Sequence, residues 1–299
     1  MLWEPVDILW MKDRNCANLR MIRHDSALCY HGGVFDWQGS TAERARTEER
    51  AVRRAKEVEA PASPEDYLRL AVSASDAQAR ARWARAGLAL DSADLDPDTQ
   101  VLLLRQLYTS HIEGGRLREA LELAQQMCAI GALRDIAHHD AARVHAALGE
   151  LDRAIEQQRA AARHAPAERR SFHWWSLGTF QHWAGDLDGA LASLRRAERW
   201  AVRDRAMVRA HAAYVRLSAN LAVPELDEIV LALQKSRSRE GYGQWLLGMI
   251  AYELGDRRRA AVHLRAWLRR HAAPDETKTI TLREELRRAR VALAEIESD

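Results

Sequence analysis

The feature that most constrains the fold of this 299-residue chain is a recurring pair of small residues, a Gly followed five positions later by an Ala. The pairs are Gly115 and Ala120, Gly149 and Ala154, Gly185 and Ala190, and Gly255 and Ala260. The glycines are 34, 36 and 70 residues apart, and 70 is twice 35, so a unit near residues 205–240 keeps the length but lacks the signature. Such a period predicts a solenoid of helical hairpins, each of which buries its apolar face against its neighbours.

The residues around the last two pairs carry a family resemblance. Trp174, Leu177 and Gly178 have the spacing W-x-x-L-G, and Leu247 and Gly248 repeat its second half before Gly255. This pattern resembles the tetratricopeptide repeat, a helix-turn-helix unit of about 34 residues. The resemblance implies an all-α fold, a right-handed α-solenoid of about six helix-turn-helix repeats.

Four segments are predicted along the chain. Residues 1–40 are a non-repeat segment with a possible β-hairpin at Gly32 and Gly33, and residues 41–60 form a leading helix. Residues 61–274 contain the repeats, and residues 275–299 form a capping helix that is apolar on one side and charged on the other. The predicted hairpins cover residues 65–90, 100–133, 135–165, 171–201, 204–236 and 241–272.

Cysteine use and hydropathy favour the cytoplasm. Three cysteines are too few for a disulfide framework, and no stretch has the ~18 apolar residues of a membrane span. The first 15 residues carry charges where a signal peptide needs an apolar run. The strong preference for Arg over Lys indicates a bacterial source.

The resemblance also implies where a partner binds. In the tetratricopeptide family the first helix of each hairpin lines the concave surface, and two of these helices, residues 171–185 and 241–252, contain no Asp, Lys or Arg and no Glu. Aromatic side chains beside Arg are typical of peptide-recognition surfaces, although packing between hairpins remains the alternative explanation. A third explanation is that residues 1–40, with Trp3, Trp10 and Trp37, pack on the first hairpins or occupy the groove. The predicted partner-binding residues are Arg105, His139, Arg143, Phe172, Trp175, Thr179, His182, Trp183, Trp245, Met249 and Tyr252.

These observations favour a non-catalytic scaffold that binds a protein or peptide segment in the concave groove. The alternative is a peptide-sensing regulator whose groove ligand changes the curvature of the solenoid. Phosphate-binding loops and nucleophile elbows are absent from the sequence, and no cofactor is expected. The spacing of Cys16, His24, Cys29 and His31 is unlike that of zinc sites, so no metal is expected. Runs of Arg are more typical of a solvated helix face than of a nucleic-acid interface, and no membrane partner is predicted.

Overall fold

The computed structural model describes residue 61 and residues 63–90, 95–272 and 280–298, and this part of the chain is all-helical. The first six helices are α1 (Pro64–Ser73), α2 (Ala77–Leu88), α3 (Pro97–Glu113), α4 (Leu117–Ile130), α5 (Arg134–Ala147) and α6 (Leu151–His164). The next six are α7 (Ala167–Trp183), α8 (Leu187–Trp200), α9 (Arg205–Ser218), α10 (Leu226–Lys235), α11 (Tyr242–Glu253) and α12 (Arg257–Arg270). A 3-10 helix (Arg237–Glu240) precedes α11, and α13 (Arg283–Ser298) ends the described chain.

The helices pack in the order of the sequence. Each α-helix contacts the next one along the chain, from α1 to α13. The odd-numbered helices from α1 to α11, which we call the first helices of six pairs, also contact one another at α1 with α3, α5 with α7, and α9 with α11. The all-α fold is therefore confirmed for the described residues, while the predicted β-hairpin and leading helix lie outside them.

The recurring glycines lie in the turns within the pairs, as predicted. Gly115, Gly149, Gly185 and Gly255 all have a positive φ, between 67° and 82°. At Gly185, the backbone N–H donates to the carbonyl of His182, and the N–H of Asp186 donates to the carbonyl of Gln181. The same two bonds recur at the other three turns, because a left-handed residue after a helix lets its last carbonyls accept hydrogen bonds.

The pair without the glycine signature uses another residue for the same turn. Asn220 follows α9 with a φ of 55°, and the N–H of Leu221 donates to the carbonyl of Arg216. Asn tolerates the left-handed conformation better than most residues with a side chain. Asn220 lies 35 residues after Gly185 and 35 before Gly255, which explains why the repeat length persists here.

Small residues bring the two helices of a pair together. Ala120, Ala154, Ala190 and Ala260 are fully buried. A Cβ at Gly178 would lie 2.9 Å from Leu194 Cγ, so the glycine of W-x-x-L-G permits close packing of α7 on α8. The predicted burial of Ala154 and Ala190 is confirmed, and at Ala190 its cause is this close approach.

The last helix does more than cover the end of the array. Helix α13 packs on α11 and α12, as a capping helix does, and buries Leu286, Ala289 and Leu293, while Leu282 is buried directly before it. In addition, Arg283 Nη1 donates to the carbonyl of Ala147 at the end of α5, over a distance of 2.7 Å. The helix therefore reaches elements far from the last pair, which the amphipathic pattern of its sequence did not predict.

None of the described helices is long and apolar enough to cross a membrane.

Candidate partner-binding site

All eleven predicted site residues lie on first helices. Arg105 is on α3, and His139 and Arg143 are on α5. Trp245, Met249 and Tyr252 are on α11. Helix α7 carries the other five, Phe172, Trp175, Thr179, His182 and Trp183. The helical pairing thus places the predicted residues on equivalent elements of the array.

Polar and aromatic contacts join the predicted residues of α3, α5 and α7. Arg105 Nε donates to Asp140 Oδ2 at 2.6 Å, and the Asp140 side chain is fully buried. The ring of His139 meets the edge of Phe172 with centroids 4.9 Å apart. His139 Nδ1 also lies 2.8 Å from Gln158 Oε1, and burial lowers the pKa of this histidine well below its usual value. His139 is therefore a neutral group inside the fold.

A buried ion pair supports this contact between α5 and α7. Arg169 Nε lies 2.5 Å from Asp135 Oδ2, and His173 Nε2 lies 3.2 Å from the same oxygen. Burial disfavours the charged form of Asp135, but the hydrogen bond from His173 and the Arg169 guanidinium outweigh burial and lower its pKa. The charge on Asp135 is thus compensated by α7, which fixes the spacing of the two helices.

An aromatic cluster joins α7, α9 and α11. Trp175 Nε1 donates to His211 Nδ1 at 2.8 Å, and the Trp175 and Tyr242 rings are 5.1 Å apart and perpendicular. Tyr214 meets Trp245 edge-on at 5.3 Å. We call this set of side chains the aromatic cluster: Trp175, His211, Tyr214, Tyr242 and Trp245.

Helix α9 supplies two members of this cluster that the sequence reasoning missed. His211 lies 36 residues after Trp175 and 34 before Trp245, and Tyr214 lies 35 residues after Thr179. The period itself was the signal, because equivalent positions of successive first helices share a face. Because this pair lacks the Gly and Ala signature, the residues of α9 could not be aligned with those of the other first helices from the sequence.

The tryptophans are buried in this structure. Trp245 has no exposed surface and Trp175 is 3% exposed, so packing within the fold accounts for both. Substitution of either residue by Ala therefore removes core volume. Their contact with a partner stays a prediction.

The other predicted residues of α7 and α11 have separate surroundings. Trp183 is half-buried beside Phe180 and packs with Ala142 and Ala154, away from the aromatic cluster. The Thr179 hydroxyl donates to the carbonyl of Trp175, and Met249 is buried. The structure thus joins Trp175 to Trp245 but does not bring Trp183 to them.

Helix α13 lies against the first helices at the aromatic cluster. Tyr242 donates to Glu285 Oε1 at 3.2 Å, and Arg288 Nη1 donates to the Tyr214 hydroxyl at 3.2 Å. Farther along the helix, the Tyr252 hydroxyl donates to Glu295. One face of α13 therefore contacts α9 and both ends of α11.

Burial perturbs the titration of two groups beside this contact. Glu285 is 3% exposed, and burial raises its pKa to about 7. Burial also lowers the pKa of His182 to about 4, with a smaller contribution from the positive charge of Arg288. At neutral pH the histidine is uncharged, while the carboxyl is close to its midpoint.

Within residues 61, 63–90, 95–272 and 280–298 there is no group of three or more His, Cys, Asp or Glu side chains arranged to hold a metal ion. No protein-family model matches the sequence, and no curated protein matches it either.

Proposed function

We propose that this protein is a non-catalytic interaction scaffold, a solenoid of about six tetratricopeptide-like repeats that binds a protein or peptide segment on its first helices. The sequential packing of paired helices, the contacts between first helices and the shared turn geometry support the solenoid. The family assignment rests on the residues around Gly178 and Gly248. A cytoplasmic location is supported by the sparse cysteines and stays a prediction.

One observation carries the binding role. The first helices already hold an amphipathic helix of the same chain, since α13 contacts α9 and α11 through Tyr214, Tyr242 and Tyr252. Tyrosines are favourable at binding surfaces because they offer a large contact area with few rotatable bonds. A surface with these properties is suited to a helical or extended segment of another protein.

The test is affinity capture from native lysate with matched charge reversals. Arg143 is half-buried on the first helix α5, whereas Arg159 is exposed on the second helix α6. We expect Arg143→Glu to reduce capture of a partner that the wild type retains and Arg159→Glu to leave it unchanged. Equal capture by both variants and the wild type would place the binding surface away from the first helices.

A peptide-sensing regulator is the second candidate. The contact of α13 with both α5 and α11 favours it, because a ligand that replaces α13 also removes the link between these helices. A change in small-angle scattering on binding would separate this candidate from a passive scaffold.

A further inference from the structure

The contact surface of α13 combines apolar packing with a few directed hydrogen bonds. Leu286, Ala289, Ala292 and Leu293 are buried on one side of the helix, and Leu282 is buried directly before it. Val291 lies on the opposite side and is 45% exposed. This spacing of four and three residues is that of an amphipathic helix laid into a groove, with its apolar stripe as the anchor.

One residue of α13 fits the surface poorly. Glu285 accepts a hydrogen bond from Tyr242 through Oε1, but its buried Oε2 has no hydrogen-bond partner in the described part of the chain. Glu284 on the same helix disfavours a charge on Glu285, while Arg288 favours it. A buried carboxylate whose second oxygen lacks a hydrogen-bond partner is unfavourable unless it is protonated or leaves the site.

The surface offers two further hydrogen-bond donors near this carboxyl, because His211 accepts through Nδ1 and its Nε2 therefore carries the proton. Trp245 Nε1 and His211 Nε2 are buried without a hydrogen-bond partner among the described residues. His211 and Tyr242 rings lie 5.9 Å apart, so these groups belong to the surroundings of the Tyr242–Glu285 bond. An uncharged amide at this position keeps an oxygen that can accept from such donors, and it avoids the burial of a negative charge.

We propose that α13 is a replaceable occupant of this surface, and that the surface accepts from a partner protein an amphipathic helix with the same Leu and Ala stripe and an uncharged amide at the position of Glu285. The partner helix also carries a basic residue at the position of Arg288, because the Arg288 side chain donates a hydrogen bond to the Tyr214 hydroxyl. The inference deepens the proposed scaffold function and rests on it for the existence of a partner.

Fluorescently labelled peptides test the surface without knowledge of the partner. The probes are residues 280–298 with the natural sequence and with Glu285→Gln, and the targets are full-length chains. Leu286→Asp in the target places a charge in the buried stripe and releases α13, whereas Val291→Asp adds the same charge to its exposed side. A docked helix competes at an effective concentration on the order of mM, so we expect at least about ten-fold tighter peptide binding to Leu286→Asp than to wild type or Val291→Asp.

The amide peptide adds a second, independent expectation. At pH 8, the Glu285→Gln peptide should bind the Leu286→Asp chain about ten-fold more tightly than the natural peptide, because no carboxylate has to be buried. A peptide with Leu286→Asp should not bind. Equal affinity of all three target chains, or no binding to a folded Leu286→Asp chain, overturns the proposal.

Hydrogen exchange of the wild-type chain covers the case in which Leu286→Asp unfolds. Amides of α13 should exchange faster than those of α7 and α11, because α13 detaches while the array stays folded. Exchange of α13 at the rate of α11 overturns the proposal. A wild-type dimer that the free peptide dissociates also overturns it, because the occupant is then a second copy of this chain.

The outcomes separate this inference from the proposed function. Peptide binding without any captured protein supports the surface and contradicts the scaffold role. Capture that depends on Arg143 but is unaffected by an excess of the Glu285→Gln peptide supports the scaffold and contradicts the replacement of α13.

Discussion

At the scale of single residues, buried polar groups with incomplete hydrogen bonding lie where α13 meets the first helices. Glu285 Oε2, Trp245 Nε1 and His211 Nε2 are such groups within the described residues. Buried polar groups are normally paired, so each unpaired one lowers the stability of the contact. The aromatic cluster is therefore closely packed, but some polar atoms in it and beside it lack hydrogen-bond partners among the residues that the structure describes.

Glu285→Gln should stabilise the protein at neutral pH. The pKa of Glu285 is raised from 4.5 to about 7, which corresponds to roughly 3 kcal/mol. A raised pKa means that the carboxyl stabilises the fold below pH 4.5 and that this contribution is lost as the pH rises towards 7. Urea unfolding measures the free energy of unfolding of both chains. The value for Glu285→Gln minus the value for wild type should grow between pH 4.5 and 7 and be constant above pH 8.

Glu284→Gln is the matched control for this pH dependence. Burial disfavours the charge on Glu284, but hydrogen bonds from Arg287 and Arg288 outweigh it and lower the pKa. Its contribution is therefore present above pH 4.5 and lost at lower pH, so the variant should be less stable than wild type at neutral pH. The same sign of effect in both variants would contradict the environment described for Glu285.

Trp245→Ala should destabilise the fold by about 3 to 5 kcal/mol, because it removes a fully buried indole from between α9, α11 and α12. Trp200 is the control, since it is 41% exposed beneath the Arg170 guanidinium. Trp200→Ala should cost less than about 1 kcal/mol. Thermal unfolding followed by circular dichroism measures both values, and equal losses would contradict the assigned burial.

At the scale of elements, the turn within each pair depends on one residue with a positive φ. Gly185 supplies it in the third of the four glycine turns, where a Cβ would meet no atom within 4 Å, and Asn220 supplies it in the pair that lacks Gly. The sequence thus contains two solutions to one backbone requirement. The requirement is conformational rather than steric.

Substitutions of Gly185 and Asn220 test the conformational requirement of the turn. Gly185→Ala should lower the free energy of unfolding by roughly 1 to 2 kcal/mol, because a Cβ disfavours the left-handed region even where space is available. Asn220→Gly should leave stability unchanged or raise it by less than about 1 kcal/mol. Chemical denaturation measures both, and destabilisation by Asn220→Gly would contradict this account of the turn.

Ala190→Leu should overpack the pair formed by α7 and α8 and cost about 1 to 3 kcal/mol, because Ala190 is fully buried where these helices approach closely. Ala294→Leu is the control on the exposed side of α13 and should change stability by less than about 0.5 kcal/mol. Unchanged denaturation midpoints for both variants would contradict the close approach.

At the scale of the whole described array, α13 connects elements that are distant in sequence. Arg283 reaches the carbonyl of Ala147, 136 residues away, and Arg288 reaches Tyr214, 74 residues away. The other helices pack mainly on their neighbours in the sequence. Loss of α13 therefore removes long-range links while it leaves the pairwise packing in place.

Limited trypsin digestion should reveal this independence. In Leu286→Asp, cleavage is expected first at Arg287, Arg288 and Arg290, since α13 is no longer held against the first helices. The remaining fragment should keep its helical circular dichroism. Val291→Asp should resist cleavage like the wild type, and simultaneous digestion of all helices in Leu286→Asp would show that the array needs α13 to fold.

The sequence alone determined the helices and their turns, because these depend on local and periodic requirements. A glycine at a left-handed position and an alanine at a close approach leave a signal at fixed spacing, so the helix pairs and the first-helix location of the eleven residues were predictable. The position of Asn220 and the contribution of His211 and Tyr214 also follow from the period, once the register is known.

Only the tertiary structure decided which surfaces are covered. An amphipathic stripe such as that of α13 shows that a helix buries one side, but it does not show against what, because hydrophobic burial is non-directional. The hydrogen bond between Tyr242 and Glu285 joins residues that are 43 positions apart and does not recur with the repeat, so the repeat period does not predict it. Trp175 and Trp245, which the sequence predicted on a binding surface, are buried within the fold. Their uncharged helices are equally compatible with a face covered by the same chain and with a face covered by a partner.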